Sequence, residues 1–208
     1  MDLIYSLEKM RFMKNIEPDG ENKSFIDNPI FVGGIRRSGT TLIRSRICSH
    51  KKIIGGPETW WFEADYIRKL GRNKITLKKH LQNMLNLYSI NNNQFLEKII
   101  NLKSKKQLLN EFFFQVLSRE KSKTRWLEKT TNNTFHMEYI FKNWKNAKFI
   151  YVYRNPIDIY LSILKSKTKV NIKHLEQEIA NHFKFFNKYY LKNKKKIFII
   201  SYEEFVQH

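Results

Sequence analysis

The chain has 208 residues, 39 of them basic and 19 acidic, for a formal net charge of +20. With 41% hydrophobic and 14% aromatic residues, it can build a domain-sized core, which excludes wholesale disorder despite the charge. A lone cysteine, Cys48, excludes an intramolecular disulfide and a cysteine-based zinc site, and no apolar run approaches the roughly 20 residues of a membrane helix.

The elements read in chain order as follows. Residues 1–28 are mixed and polar with a turn signal at Pro18-Asp19-Gly20, and form a short helix and a loose lead-in. Met1 to Met13 alternates charged and apolar residues and lacks the apolar centre of a secretory signal. A cytoplasmic setting is the expectation. Ile30 to Gly34 reads as a buried strand. Thr40 to Ser49 reads as a helix with Leu42, Ile43 and Ile47 on its inner side. Ile53-Ile54-Gly55 is a second strand. Residues 59–70 and 76–119 read as mostly helical, with a break at Asn91-Asn92-Asn93. Trp126-Leu127-Glu128 is a brief strand and Phe135 to Trp144 a helix. Lys148 to Tyr153 is a strand, Pro156 to Ser166 a helix with proline at its first position, 172–192 a long helix, and Ile197 to Ile200 the last strand.

Short apolar strands alternating with helices imply an α/β fold: a parallel sheet flanked by helices on both faces, three layers deep. The main domain spans 29–208 after the lead-in 1–28. A helical insertion is expected at about 70–120, beside the sheet.

The charge has two readings. Of the 39 basic residues 29 are lysines, so a solvated lysine-rich surface is one, and attraction to an anionic partner the other. The clusters Lys103–Lys106 and Lys192–Lys196 are not interleaved with aromatics, and no helix-turn-helix, zinc-finger or RNA-recognition pattern is present. No specific nucleic acid is expected.

The most informative stretch is Phe31-Val32-Gly33-Gly34-Ile35-Arg36-Arg37-Ser38-Gly39-Thr40-Thr41-Leu42. It is a strand, a glycine-containing loop and a helix start, where successive backbone N–H groups make an anion site. Gly34 to Gly39 has the spacing of a P-loop, GxxxxGK[ST], but Thr40 stands in place of the lysine that reaches a nucleotide's β- and γ-phosphates. A glycine turn before an ordinary helix is the alternative. The stretch resembles the 5′-phosphosulfate loop of sulfotransferases that use 3′-phosphoadenylyl sulfate, whose pattern is close to PRSGTTLL; here it reads RRSGTTLI. Arg36 replaces the family's common proline and is expected to loosen the loop. The resemblance implies that Arg37, Ser38, Gly39, Thr40 and Thr41 hold the 5′-phosphosulfate.

A second stretch, Phe149 to Ser162, is a strand, then Arg154-Asn155-Pro156, then a helix. Arg154 falls at the carboxyl end of its strand, where open α/β sheets bind ligands. Asn155 is a candidate N-cap, and Ser162 shares its helix face. An arginine and a hydroxyl converging on one point suit a phosphate; an Arg154–Asp158 ion pair is the alternative. The stretch is similar to the family's 3′-phosphate motif, R-[ND]-P-x(5)-S, with Arg154 and Ser162 as ligands.

Three more positions fit the same family. Gly56-Pro57-Glu58-Thr59 resembles the GPET segment of its bacterial and tyrosylprotein or carbohydrate branches, with Glu58 as general base. Lys129 matches a lysine that contacts the transferring group, although Thr131 and Asn132 stand where a proline is common. Tyr202-Glu203-Glu204-Phe205-Val206 resembles a YExLV segment whose tyrosine touches the nucleotide. The resemblance covers about residues 29–206. It implies sulfuryl transfer from 3′-phosphoadenylyl sulfate to an acceptor hydroxyl of a carbohydrate, lipid, tyrosine or small molecule. Glu58 would take the proton, while Lys129 and Arg37 neutralise charge. Other readings are a binding-only homologue and a P-loop kinase-like phosphotransferase.

No pair among the six histidines has supported metal-ligand spacing, so no metal is expected. His136 either lines the site or is a polar helix residue. Cys48 is expected to be a buried helix residue. Trp60, Trp61 and Phe62 shape an acceptor cleft or pack as an aromatic cluster. Family members usually continue past the Tyr202 segment with further helices and a closing loop, so a C-terminally shortened member is expected. Acceptor identity and oligomeric state are not legible.

Overall fold

The computed structural model describes residues 26–63, 67–69, 75–102, 104–120, 122–166 and 171–207. The expected N-terminal helix, parts of the 59–70 and lead-in assignments, Lys103 and His208 lie outside them.

Five strands form one sheet: β1 (Ile30–Gly34), β2 (Ile53–Gly55), β5 (Arg125–Lys129), β6 (Lys148–Tyr153) and β7 (Ile197–Ser201), in the order β2-β5-β1-β6-β7. Every pairing is parallel, with Ile30 opposite Leu127 and Lys148, Ile53 opposite Arg125, and Phe149 opposite Ile197. Parallel strands need crossovers, and helices supply them. These are α1 (Thr40–Cys48), α2 (Lys79–Leu87), α3 (Asn92–Ile99), α4 (Lys105–Arg119), α5 (Met137–Asn143), α6 (Pro156–Lys165), α7 (Ile172–Asn193) and α8 (Tyr202–Gln207).

Because side chains alternate along a strand, the two sheet faces carry different sets. Phe31, Trp126, Phe149, Tyr151 and Ile197 join the larger cluster, which takes in Leu81, Phe95, Phe112, Ile140 and Phe186 from α2 to α5 and α7. Ile30, Val32, Leu127, Ile150 and Val152 face Ile43 on α1 and, partly buried, Phe205 on α8. The result is the expected three-layer α/β/α arrangement. Aromatic contacts are dense on the larger side: Phe113 stacks on Trp126 at 4.2 Å and Tyr151 on Phe186 at 4.0 Å between centroids. Residues 26–28 are tied to β5, since Trp126 Nε1 donates to the Ile26 carbonyl at 3.3 Å and Arg125 Nε to that of Asn28 at 2.7 Å.

Several local expectations are corrected. The described residues of 59–70, which are 59–63 and 67–69, are not helical: Trp60 has φ 56, a left-handed conformation no helix interior accommodates. A turn follows, with Glu63 N–H on the Trp60 carbonyl at 3.0 Å, and then the hairpin of β3 (Ile67–Lys69) and β4 (Ile75–Leu77). Residues 76–119 open on this strand and then give three helices, with Asn91 capping α3 through its side chain. Of the three α1 residues expected on the inner side, Ile43 is buried and Ile47 partly so, while Leu42, one position round the helix, is 44% exposed. The helix expected over Phe135 to Trp144 starts as a 3₁₀ turn, Thr131–His136, and becomes α-helical only at Met137. Trp61 and Phe62 are packed in the core while Trp60 is exposed.

Candidate active site

Parallel pairing puts the carboxyl ends of all five strands on one edge, and each delivers a residue singled out from the sequence. From β1 the chain enters a tight loop. Gly34 has φ 142, and a side chain there would run into the Val152 carbonyl on β6. Arg37 adopts φ 66, Ser38 N–H bonds the Ile35 carbonyl at 3.1 Å, and Gly39 caps α1 at φ 95 without any side-chain cap. The first-turn N–H groups of α1 are therefore left to the loop side, where the helix dipole favours an anion. Thr40 is buried and Thr41 exposed at that turn.

Arg154, just past β6, donates from Nη1 to the Arg37 carbonyl at 3.2 Å and lies 4.2 Å over the Tyr202 ring, a cation–π contact. Among the described residues no ion pair joins it to Asp158. Arg37 Nε reaches Ser162 Oγ at 3.1 Å. Tyr202, at the start of α8, covers Gly39 so closely that only a glycine fits beneath its ring. Asn155 caps α6, its Oδ1 accepting from Ile157 N–H at 2.9 Å. Its own N–H goes to Glu203 Oε1 at 2.9 Å. Burial pulls the Glu203 carboxyl upward, but hydrogen bonds from Asn155 and Ser201 and the Arg154 charge outweigh it and hold it below the usual range.

Two polar atoms in this cluster, Ser38 Oγ and Arg154 Nε, are buried without a hydrogen-bond partner among the described residues. Buried donors are seldom left unmade, and these two, beside the uncapped helix start, fit a phosphate-type oxygen. Arg36 has a partner that the local sequence does not show: its guanidinium pairs with Glu178 on α7 at 3.0 Å. It braces the loop, leaving Arg37 as the loop's cation toward the edge.

The second cluster lies at the ends of β2 and β5. Lys129 Nζ pairs with Glu58 Oε1 at 3.0 Å. Lys129 is only 6% exposed in its side chain, so it is no surface lysine, and no helix follows Glu58 for it to cap. Beneath this pair is a group with no role assigned from the sequence. The Glu128 carboxylate accepts from Thr59 Oγ1 at 2.5 Å, from Thr130 Oγ1 at 2.7 Å and from Asn133 Nδ2. Burial pushes its carboxyl up against the pull of these bonds and of Lys129. An acid inside a strand buried on both faces was the available signal, since such a charge needs partners. Thr59, 69 residues away, carried no local mark. His136 lies to one side, 3.6 Å from Glu63 and against the Phe62 ring, with burial lowering its pKa against the Glu63 charge. The structure thus joins Arg37, Gly39, Arg154, Ser162 and Tyr202 in one cluster and Glu58 with Lys129 in another, on the same sheet edge.

A family model described as "Sulfotransferase family" matches residues 29–208. The chain belongs to that family. Similar solved structures of sulfotransferases share its fold. The sulfotransferase domain of the Synechococcus PCC 7002 olefin synthase superposes with a TM-score of 0.51 at 16% identity, over 91% of this chain and 70% of that one. A sulfotransferase from Mycobacterium avium gives 0.50 at 13% identity, over 86% and 60%. One from Mycobacterium tuberculosis H37Rv gives 0.50 at 13%, over 87% and 64%. The chain therefore spans 60% of the length of the Mycobacterium avium chain. No curated protein matches its sequence.

Proposed function

We propose that this sulfotransferase binds 3′-phosphoadenylyl sulfate on its strand-end edge and catalyses sulfuryl transfer to an acceptor hydroxyl. The observation that carries the reading is the convergence of Arg37, Arg154, Ser162 and Tyr202, with the unpartnered Ser38 Oγ and Arg154 Nε among them. Bound there, the nucleotide would supply an activated sulfuryl group.

The residues divide the work. Arg154 and Ser162 suit the 3′-phosphate, with the Tyr202 ring beside the nucleotide. Ser38, Thr40, Thr41 and the N–H groups from Gly39 onward suit the 5′ end, where Arg37 adds charge. Glu58 accepts the proton of the acceptor hydroxyl as its oxygen bonds to sulfur and the sulfur–phosphate oxygen bond breaks. Lys129 holds that carboxylate and offsets negative charge on the transferring oxygens. Such transfer rests on positioning and electrostatics more than on covalent chemistry.

Cys48 is half-buried at the end of α1, its thiol pushed up by burial against the Arg44 and Lys123 charges, and so is a poor thiolate. No described helix is long and apolar enough to cross a membrane.

The deciding experiment is thermal stabilisation by adenosine 3′,5′-bisphosphate, with ATP plus magnesium as the comparison. At 100 times its Kd a ligand adds about 2.7 kcal/mol, a shift of several degrees. A rise with the bisphosphate alone supports the reading. A rise only with ATP and magnesium favours a phosphotransferase, and no rise with either removes the nucleotide site.

A further inference from the structure

The segment carrying Glu58 is fastened to β5 by three consecutive residues. Glu58 pairs with Lys129 at 3.0 Å, Thr59 Oγ1 donates to Glu128 at 2.5 Å, and Trp60 N–H donates to Thr130 Oγ1 at 3.2 Å. Thr130 in turn donates to Glu128 at 2.7 Å. Successive strand side chains leave on opposite sides, so Glu128 and Lys129 grip the same loop from the two faces of the sheet edge. Glu128 also holds Asn133, whose amide donates to the Val32 carbonyl on β1 at 3.0 Å. One carboxylate, 1% exposed, ties together the loop, the end of β5 and the central strand.

We propose that Glu128 is a positioning residue that sets Glu58 in register with Lys129 by holding Thr59 and Thr130. This rests on the functional reading of Glu58 and Lys129 given above. Glu58 is 30% exposed in its side chain, and a free glutamate has several rotamers to lose. Fixing its neighbours on both sides confines it. The site needs a carboxylate and not an amide, because all three groups facing it are donors; a glutamine would turn its own NH₂ toward at least one of them.

The test needs no acceptor. Acylation of Lys129 by acetic anhydride in the full chain, read by mass spectrometry against exposed Lys192, reports how firmly Glu58 holds the amine. The variants are Glu58→Gln, Thr59→Val, Thr59→Ser and Glu128→Gln. Thermal midpoints and adenosine 3′,5′-bisphosphate affinity accompany each. Glu58→Gln, Thr59→Val and Glu128→Gln should each raise Lys129 labelling about tenfold, the lower end of what a charge-assisted hydrogen bond is worth. Thr59→Ser should label as wild type, and bisphosphate affinity should hold throughout. If Glu58→Gln raises labelling while Thr59→Val leaves it at the wild-type rate, Glu128 is a structural anchor only and the proposal fails. If Glu58→Gln itself changes nothing, the Glu58–Lys129 pair is not a unit, and the functional reading falls with the proposal. Should Glu128→Gln not fold, the Thr59 pair of variants decides alone.

Discussion

Arg37 Nε and Ser162 Oγ meet at 3.1 Å across 125 residues of sequence. That contact joins the loop after β1 to the second turn of α6, and Arg154 closes the same ring through the Arg37 carbonyl. An anion bound here would be read by both halves of the sheet at once.

Removing the hydroxyl should weaken that reading modestly. Ser162→Ala should lower the affinity for adenosine 3′,5′-bisphosphate about tenfold, and Arg154→Lys more, since an ammonium reproduces neither the fork of donors nor the stacking on Tyr202. Isothermal titration measures both. An Arg154→Lys variant binding as tightly as wild type would remove Arg154 from the site.

Glu58→Gln should separate binding from transfer. The bisphosphate Kd should stay within about twofold while the transfer rate falls roughly 10²–10⁴-fold, the range for losing a general base. The check is transfer of radiolabelled sulfate to a panel of phenol and sugar acceptors. Equal losses in binding and rate would make Glu58 a structural residue.

Gly39→Ala meets two obstacles, the φ of 95 and the Tyr202 ring above it. The left-handed conformation alone costs about 1–2 kcal/mol for a residue with a Cβ. Urea unfolding should show at least that loss. In the double variant with Tyr202→Ala the part due to collision should disappear, giving a coupling that distinguishes clash from backbone strain.

His182, on α7, is wholly buried against the Phe135 ring at 4.4 Å, and neither ring nitrogen has a partner among the described residues. Burial lowers its pKa from 6.5 to about 4. Between those values the unfolded chain takes up a proton that the folded chain refuses. Stability from this site is full above about pH 6.5 and is lost as pH falls toward 4, by about 3 kcal/mol at most. Glu128 contributes with the opposite slope, so the measurement is a difference. His182→Phe should remain flatter than wild type in urea midpoints between pH 7.5 and 4.5. Parallel curves would place the acid sensitivity elsewhere.

The sheet and the two strand–loop–helix motifs were legible because they depend on local order. A run such as Lys148 to Tyr153 has one physical use, a strand covered on both faces, and Arg154-Asn155-Pro156 ends it in a cap that needs only its neighbours. The stretch 59–63 misled because its conformation is set from a distance, by Glu128 on β5 and by Thr130 just past its end. The partner of Arg36 was hidden for the same reason: Glu178 comes from α7. Long-range side-chain bonds leave no periodic trace in a sequence.

The strand order has a consequence for how the protein is made. Of the described strands of the sheet, the first in sequence, Ile30–Gly34, becomes its centre, and the last, Ile197–Ser201, becomes an edge that pairs among them only with Lys148–Tyr153. Tyr202, which lies over both Gly39 and Arg154, arrives after everything it touches. The nascent chain must therefore hold an open, unpaired β6 flank until Ile197–Ser201 emerges, a slow and exposed interval for a parallel topology.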